Sequence, residues 1–176
     1  MANNSSVDWE IRPALCLDFD GTIRYSRTGK FINDPDDVIL FEGVEEKIWQ
    51  YRDQGYMIFG ITNQGGVAFG YKTEDGNEQE IQRTLDLFEN NPFHLVQYSY
   101  GHPDGTVLPY NHSSLLRKPF YGMLVLCEID AKKLGVIVDW ERSIFVGDSP
   151  EDRACADAAG PSFIDADEFF NRNNLK

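Results

Sequence analysis

Short apolar runs alternate with helix-like segments along most of this sequence, and their order decides the class of fold. Short apolar runs that end in glycine or polar clusters are typical of buried strands. The segments between them carry apolar side chains at helical spacing, as Val44, Ile48 and Tyr51 do. Strands are therefore predicted at residues 14–17, 56–61, 94–99, 143–146 and 162–164. Helices are predicted at residues 43–54, 77–90, 121–134 and 150–159.

Strands that alternate with helices form a mostly parallel sheet with helices on both faces and right-handed crossovers. The sequence therefore predicts an α/β fold of the three-layer, Rossmann-like type. In such sheets, ligands bind outside the carboxyl ends of the strands. Polar clusters at residues 18–22, 62–66 and 147–152 each follow a predicted strand, so we expect them to share one site. Residues 24–35 are predicted as an irregular flap beside it.

Two aspartates stand at the end of the first predicted strand. Asp18 and Asp20 are two positions apart, and on a regular strand such residues face the same side about 6.5–7 Å apart. Carboxylates this close repel each other unless a cation separates them or one keeps its proton. Mg²⁺ takes oxygen ligands and also coordinates phosphate oxygens, and Asp148 at another strand end completes a carboxylate set. The alternative is that Asp-x-Asp-Gly-Thr is simply a turn.

A second group of residues has the chemistry to bind an anion. Thr62 offers a hydroxyl group and Asn63 an amide, and the glycines that follow allow the backbone to approach an anion closely. Lys118 offers a positive charge, although its pattern also fits an ordinary surface lysine. Asp152 fits either a site residue or a stabilising charge at the start of a helix.

The net charge of −13 restricts the partners of this chain. A chain this acidic repels nucleic acid and anionic membranes unless basic residues gather locally. Nucleic acid and membranes are therefore not expected as partners. Two local groups of basic residues are candidates for substrate contacts: Arg24, Arg27 and Lys30 on the flap, and Arg117 with Lys118.

The length of 176 residues fits a single domain spanning residues 1–176. No apolar run reaches the ~18–20 residues of a membrane helix, and the first residues lack the basic and apolar regions of a secretory signal. Cys16, Cys127 and Cys155 are too few and too scattered for a disulfide framework or a cysteine-rich zinc site. These features favour a protein of the cytoplasm.

Four blocks of the sequence, in this order, resemble the four motifs of the haloacid dehalogenase (HAD) superfamily. The blocks are Asp18-Phe-Asp-Gly-Thr22, Ile61-Thr-Asn-Gln64, Lys118-Pro119 and Gly147-Asp-Ser-Pro-Glu-Asp152. Their details look like the branch that contains histidinol-phosphatases, heptose-bisphosphate phosphatases and polynucleotide 3′-phosphatases. That branch has little or no cap domain, which agrees with the short spacing from Asp20 to Thr62.

The resemblance implies a phosphatase that works through an aspartyl-phosphate. Asp18 would attack phosphorus, and Asp20 would protonate the leaving oxygen and later deprotonate a water molecule. Thr62 and Lys118 would bind the transferring phosphoryl group, and Asp152 would orient Lys118. The resemblance assigns further phosphate contacts to Gly21, Thr22, Asn63 and Arg117.

The resemblance also implies Mg²⁺ as the cofactor, held by the side chains of Asp18 and Asp148 and by the backbone carbonyl of Asp20. Many relatives carry a cysteine-rich zinc loop before the Arg-Lys pair, but the matching stretches here, residues 99–101 and 114–116, contain no cysteine. Zinc is therefore not expected.

The leaving group stays open at this point. A small phosphorylated metabolite is preferred, either a sugar phosphate or a compound like histidinol phosphate. A polynucleotide 3′-phosphatase is the first alternative. A catalytically silent binding protein that kept the fold is the alternative of another class.

Overall fold

A computed structural model describes residues 8–29 and 31–172 of the chain. The strands are β1 (Glu10–Arg12), β2 (Ala14–Leu17), β3 (Arg24–Ser26), β4 (Val38–Leu40), β5 (Met57–Asn63), β6 (Leu95–Ser99), β7 (Val136–Val138), β8 (Ile144–Gly147) and β9 (Ser162–Asp165). The α-helices are α1 (Val44–Asp53), α2 (Glu74–Asp86), α3 (Gly122–Lys133), α4 (Pro150–Ala159) and α5 (Ala166–Phe169).

Five strands form the central sheet in the order β6–β5–β2–β8–β9, and every neighbouring pair runs parallel. The central strand is β2, in which Leu15 pairs with Ile58 of β5 on one side and with Ile144 of β8 on the other. The carboxyl ends of β2, β5 and β8 therefore lie side by side at one edge. The predicted α/β fold with a mostly parallel sheet is confirmed.

Helices cover both faces of the sheet because successive residues of a strand point to opposite sides. Along β2, Ala14 and Cys16 belong to the core cluster with α3 and α4. Leu15 and Leu17 belong to the cluster on the other face, with α1, α2 and α5. Both leucines are fully buried, and burying each side chain contributes about 1.5–3 kcal/mol. All three cysteines of the chain are free and buried.

Each predicted strand and helix is observed with bounds within two residues of the predicted ones, except for α2, whereas β1, β7 and α5 were not predicted. Helix α2 begins at Glu74 instead of residue 77 and ends at Asp86 instead of residue 90. The side chain of Thr73 caps it by accepting a backbone N–H group at 3.0 Å, and two acidic residues in the first turn stabilise the same end. At the other end, Phe88 has already left the helix and packs in the core.

The segment predicted as an irregular flap contains part of a strand pair. We call residues 24–40 the flap; within it β3 and β4 pair antiparallel, with Ser26 opposite Val38. Asp37 closes the loop between them, since its Oδ2 accepts a hydrogen bond from Ser26 Oγ at 2.5 Å. Lys30, predicted to belong to a basic group, lies outside the described residues.

Within residues 8–29 and 31–172, no helix has the length and apolar character that crossing a membrane requires. The same residues contain no separate cap domain, because the chain between β2 and β5 forms only the flap and α1. The carboxyl edge of the sheet is therefore bordered by a short flap and is not covered by a separate domain.

Candidate active site

Asp18 directly follows β2 and lies at the carboxyl edge of the sheet with 6% of its surface exposed. Its backbone N–H donates to the carbonyl of Val146 at 3.0 Å, which continues the pairing with β8 and fixes the backbone. Its Oδ1 accepts from Lys118 Nζ at 2.5 Å, and its Oδ2 accepts from Thr22 Oγ1 at 3.2 Å. Both carboxylate oxygens are thus held in defined positions.

Lys118 is a buried cation placed between two carboxylates. Its Nζ lies 2.5 Å from Asp18 Oδ1 and 2.6 Å from Asp152 Oδ1, and it donates to the carbonyl of Ile61 at 2.9 Å. Burial alone lowers the pKa of Lys118, but the two carboxylates outweigh burial and raise the pKa above its usual value. The ammonium group is therefore charged although only 3% of the residue is exposed.

Asp152 supports both Lys118 and the start of α4. Its Oδ2 accepts from the backbone N–H of Ser149 at 3.1 Å and from Ser149 Oγ at 2.7 Å. In return, the backbone N–H of Asp152 donates to Ser149 Oγ at 3.2 Å, which completes a capping box. The structure thus places Asp152 beside Lys118, while its predicted role of orienting that lysine stays a prediction.

Asp20 turns its side chain away from Lys118. Its Oδ1 accepts from Arg24 Nε at 2.8 Å, and its Oδ2 accepts from Arg24 Nη2 at 3.2 Å and from Gln64 Nε2 at 2.7 Å. Partial removal from water raises the pKa of Asp20, but the charge and hydrogen bonds of Arg24, with help from Gln64, outweigh this effect and lower the pKa overall. The carboxyl group is therefore ionised in this conformation.

Arg24 is fully buried, and its donors are used within the protein. Besides the two contacts to Asp20, its Nη1 donates to the carbonyl of Glu80 at 3.1 Å and to Thr84 Oγ1 at 2.6 Å, both on α2. The hypothesis that Arg24 contacts the substrate is therefore wrong. Arg27, by contrast, is exposed on the flap.

Thr62 and Asn63 end β5 beside these residues. Thr62 is 1% exposed, and its Oγ1 accepts from Gln64 Nε2 at 2.9 Å. The amide of Asn63 binds the backbone of Lys118 twice: Nδ2 donates to the carbonyl at 3.1 Å, and Oδ1 accepts the N–H at 2.9 Å. The Asn63 side chain thus positions Lys118, while its predicted contact with phosphate stays a prediction.

Asp148 reaches the site from the end of β8. Gly21, whose φ is +86°, leaves room for it, because a Cβ at Gly21 would lie only 2.0 Å from Asp148 Oδ2. Oxygen atoms of Asp18, Asp148 and Asp152 all lie within 4.8 Å of one another. This cluster of carboxylates has the donor set of a site for a hard divalent cation.

The electrostatics of the cluster fit a bound cation. Burial raises the pKa of Asp18, and Asp152 adds to the rise, whereas Lys118 opposes it. Burial and the nearby Asp152 also raise the pKa of Asp148. One lysine thus faces three carboxylates, and because Asp152 already binds Lys118 and Ser149, Asp18 and Asp148 are the side chains best placed to hold a metal ion.

A cleft of about 730 Å³ opens beside Asp20 and Gly21. Its walls come from the flap and from the loops that follow β5 and β6. Arg117 lies in this wall, half-buried, and its Nη1 has no hydrogen-bond partner among the described residues. Of the residues predicted to contact phosphate, Arg117 thus lies in the wall of the cleft, whereas Thr22 donates a hydrogen bond to the Asp18 carboxylate.

Two side chains at the centre of the site were not predicted from the sequence, namely Arg24 as the partner of Asp20 and Gln64 as the link from Asp20 to Thr62. Gln64 adjoins two predicted site residues in the sequence, so its position was a usable signal. Arg24 carried no such signal, because its contacts with α2 join residues 56 and 60 positions apart.

Comparison with known proteins finds relatives that match most of this chain. A family model described as polynucleotide kinase 3 phosphatase matches residues 14–175. A D-glycero-beta-D-manno-heptose-1,7-bisphosphate 7-phosphatase of Rhodopseudomonas palustris is 34% identical over 155 residues, which cover 86% of this chain and 82% of the relative.

Two solved structures share the fold. A protein from Mesorhizobium loti described as a HAD-like phosphatase has a TM-score of 0.73 and 29% identity, and the match covers 87% of this chain and 71% of that one. A D,D-heptose 1,7-bisphosphate phosphatase from B. bronchiseptica, complexed with magnesium and phosphate, has a TM-score of 0.68 and 23% identity. This second match covers 86% of this chain and 78% of that one.

Proposed function

This chain belongs to the polynucleotide kinase 3 phosphatase family of the HAD superfamily, and we propose that it hydrolyses a small phosphate monoester through an aspartyl-phosphate on Asp18. The observation that carries the proposal is the contact of Asp18 with the buried, charged Lys118 at 2.5 Å. A carboxylate approaches a phosphate dianion only where positive charge offsets their repulsion. Lys118 supplies that charge at the nucleophile itself.

In the first half-reaction, a carboxylate oxygen of Asp18 forms a bond to phosphorus, and the bond from phosphorus to the leaving oxygen breaks. The leaving oxygen keeps the electron pair and takes a proton from the carboxyl group of Asp20. Lys118 and Thr62 donate to the phosphoryl oxygens as negative charge develops on them. Arg24 and Gln64 favour ionised Asp20, so this step requires Asp20 to be protonated once substrate is bound.

In the second half-reaction, the ionised Asp20 takes a proton from a water molecule, and the water oxygen bonds to phosphorus. The bond from phosphorus to Asp18 breaks, which releases inorganic phosphate and restores the Asp18 carboxylate. The orientation of Asp20 by Arg24 and Gln64 suits this step, because both contacts stabilise the form that accepts the proton.

Mg²⁺ fits the carboxylate cluster, and Asp18 and Asp148 would hold it together with the backbone carbonyl of Asp20. When bound, it supplies positive charge to the phosphoryl oxygens and offsets the repulsion between the carboxylates. Magnesium is therefore expected to raise the melting temperature of the wild type. Asp148→Asn should reduce that rise, and zinc should not be needed for activity.

We propose a small phosphorylated metabolite as the substrate. The similar protein of Rhodopseudomonas palustris is named for a sugar bisphosphate, and the net charge of −13 opposes a polyanion. A polynucleotide 3′-phosphate is the second candidate, which the description of the matching family favours. The two differ in salt response, since oligonucleotide binding weakens steeply with salt whereas binding of a small monoester weakens little.

Asp18→Asn tests the proposal. We expect no detectable turnover in a folded protein, because the amide is a poor nucleophile and Lys118 keeps its contact with Asp152. Phosphate release and urea unfolding are measured together, with Mg²⁺ present. Asp104→Asn is the matched control, since its side chain is 84% exposed and should keep full activity. Turnover of Asp18→Asn at the wild-type rate would exclude Asp18 as the nucleophile.

A further inference from the structure

Five aromatic side chains contribute to the wall of the cleft beside Asp20. Phe69 and Tyr71 stack with ring centroids 5.7 Å apart and an interplanar angle of 18°. The His102 ring lies 4.8 Å from Phe69. Tyr25 and Phe31 of the flap line the cleft as well, so rings are present on both the flap side and the loop side.

Several polar side chains of the same wall are already engaged within the protein. Gln64 binds Asp20 and Thr62, and the amide of Asn63 binds the backbone of Lys118 at both of its atoms.

Lys72 is engaged in the same way, since it donates to the carbonyl of Ile32 at 2.6 Å and to Glu80 Oε2 at 2.5 Å. Arg117 keeps one N–H group, Nη1, without a partner among the described residues. The side chains of Gln64, Asn63 and Lys72 therefore already have partners within the protein on this side of the cleft.

A leaving group rich in hydroxyl groups is a poor match for this wall. Each hydroxyl that leaves water without finding a new partner loses a hydrogen bond. A planar unsaturated ring has no such requirement and gains from stacking on other rings.

We propose that the leaving group of the substrate carries a planar, unsaturated ring that stacks against Phe69 and Tyr71. This inference rests on the proposed phosphatase function and defines the substrate class of the same site. Phe69 and Tyr71 are then specificity residues, which act on the ring and not on the phosphorus atom. Tyr71 is 66% exposed, so replacing it leaves the core intact.

The test compares three monoesters of primary alcohols: benzyl phosphate, cyclohexylmethyl phosphate and a hexose 6-phosphate. The first two have similar size and polarity and differ chiefly in the planarity of the ring. We expect kcat/KM for benzyl phosphate to exceed that for cyclohexylmethyl phosphate by about tenfold, which corresponds to one stacking contact. The hexose phosphate should be the poorest of the three.

Tyr71→Leu and Phe69→Leu are expected to reduce the ratio of benzyl to cyclohexylmethyl activity to near one, mainly by raising KM for the benzyl ester. Trp9→Leu is the matched control, because Trp9 is a similarly exposed ring, at 48%, that does not line the cleft. Its ratio should equal that of the wild type. A loss of folding would instead lower activity on all three esters together.

The outcomes separate the two proposals. Hydrolysis of the hexose phosphate as fast as, or faster than, the benzyl ester would overturn the ring proposal and leave the phosphatase function standing. A ratio that Tyr71→Leu and Phe69→Leu leave unchanged would overturn it in the same way. If none of these or other monoesters is hydrolysed with Mg²⁺ present, the proposed function is wrong and the ring proposal is overturned with it.

Discussion

Replacing Arg24 with methionine is expected to destabilise the protein and to slow turnover together. The guanidinium group is fully buried and binds Asp20 through Nε at 2.8 Å and Nη2 at 3.2 Å. Its Nη1 ties the same group to α2 through Glu80 and Thr84. Methionine fills most of the space of the side chain but supplies none of these donors.

The expected loss in the free energy of unfolding is about 3 kcal/mol. Removing one partner of a buried ion pair costs about 3–5 kcal/mol, and the lower end applies because the Asp20 side chain is 45% exposed, so water can solvate it. Turnover should fall about 10–100-fold, since Asp20, the proposed acid–base group, would be poorly aligned once displaced. Arg24→Lys keeps the charge without the planar fork and should lose about half as much stability.

Urea unfolding and steady-state kinetics on a monophosphate and a bisphosphate provide the assay. Arg27→Met is the control, because Arg27 is exposed on the same flap and should leave stability unchanged. The structure predicts a lower kcat with a nearly constant KM on both substrates. A variant as stable as wild type, with KM raised only for the bisphosphate, would refute the positioning role of Arg24 and restore the idea that it binds substrate.

Two further predictions concern stability and the metal site. Burial and two nearby arginines lower the pKa of His94 from 6.5 to about 4. The neutral ring accepts a hydrogen bond from the backbone N–H of Ile58 at 2.9 Å through Nδ1. This interaction therefore stabilises the fold above pH 6.5, and the stabilisation is lost as the pH falls towards 4. His94→Asn keeps a hydrogen-bond acceptor that does not titrate. Between pH 7 and pH 5, the free energy of unfolding measured with urea should therefore fall by about 1 kcal/mol more for the wild type than for this variant, allowing for the half-exposed ring. Equal losses in the two proteins would contradict this prediction. Gly21→Ala should displace Asp148 and weaken the Mg²⁺ dependence of the melting temperature, whereas Gly43→Ala, with φ of +76° but open space around it, should show backbone strain alone. Equal Mg²⁺ responses in these two variants would show that the contact with Asp148 does not matter.

The parallel sheet was predictable because its strands are buried on both faces and therefore appear as apolar runs. The ends of α2 were not predictable from the sequence, because the first turn, which begins at Glu74, is polar and the only capping signal is a single threonine. β1 and β7 pair over three residues each. A run of three residues is too short to show an alternation of buried and exposed positions, so both strands were missed.

The site was predictable to the extent that its residues follow strand ends. Asp18, Thr62 and Asp148 meet because β2, β5 and β8 are neighbours with parallel direction. The contacts that orient them were not predictable, since the amide of Asn63 reaches the backbone of Lys118 across 55 positions. The partner of Asp20 was missed because a spacing of four residues predicts a side-chain contact only on a helix, whereas Arg24 lies in a strand of the flap.

The position of β2 at the centre of the sheet has a consequence for synthesis. Asp18, the proposed nucleophile, is made early, but Lys118 joins it from 100 residues further along the chain, and β8 is made later still. Until then, β2 lacks one of its two neighbours, and its apolar residues have no complete core to enter. Such long-range pairing slows folding and exposes strand edges to other chains. A growing chain on the ribosome therefore carries Asp18 without the cation that contacts it, and the proposed catalytic site is complete only when the last parallel strands have paired.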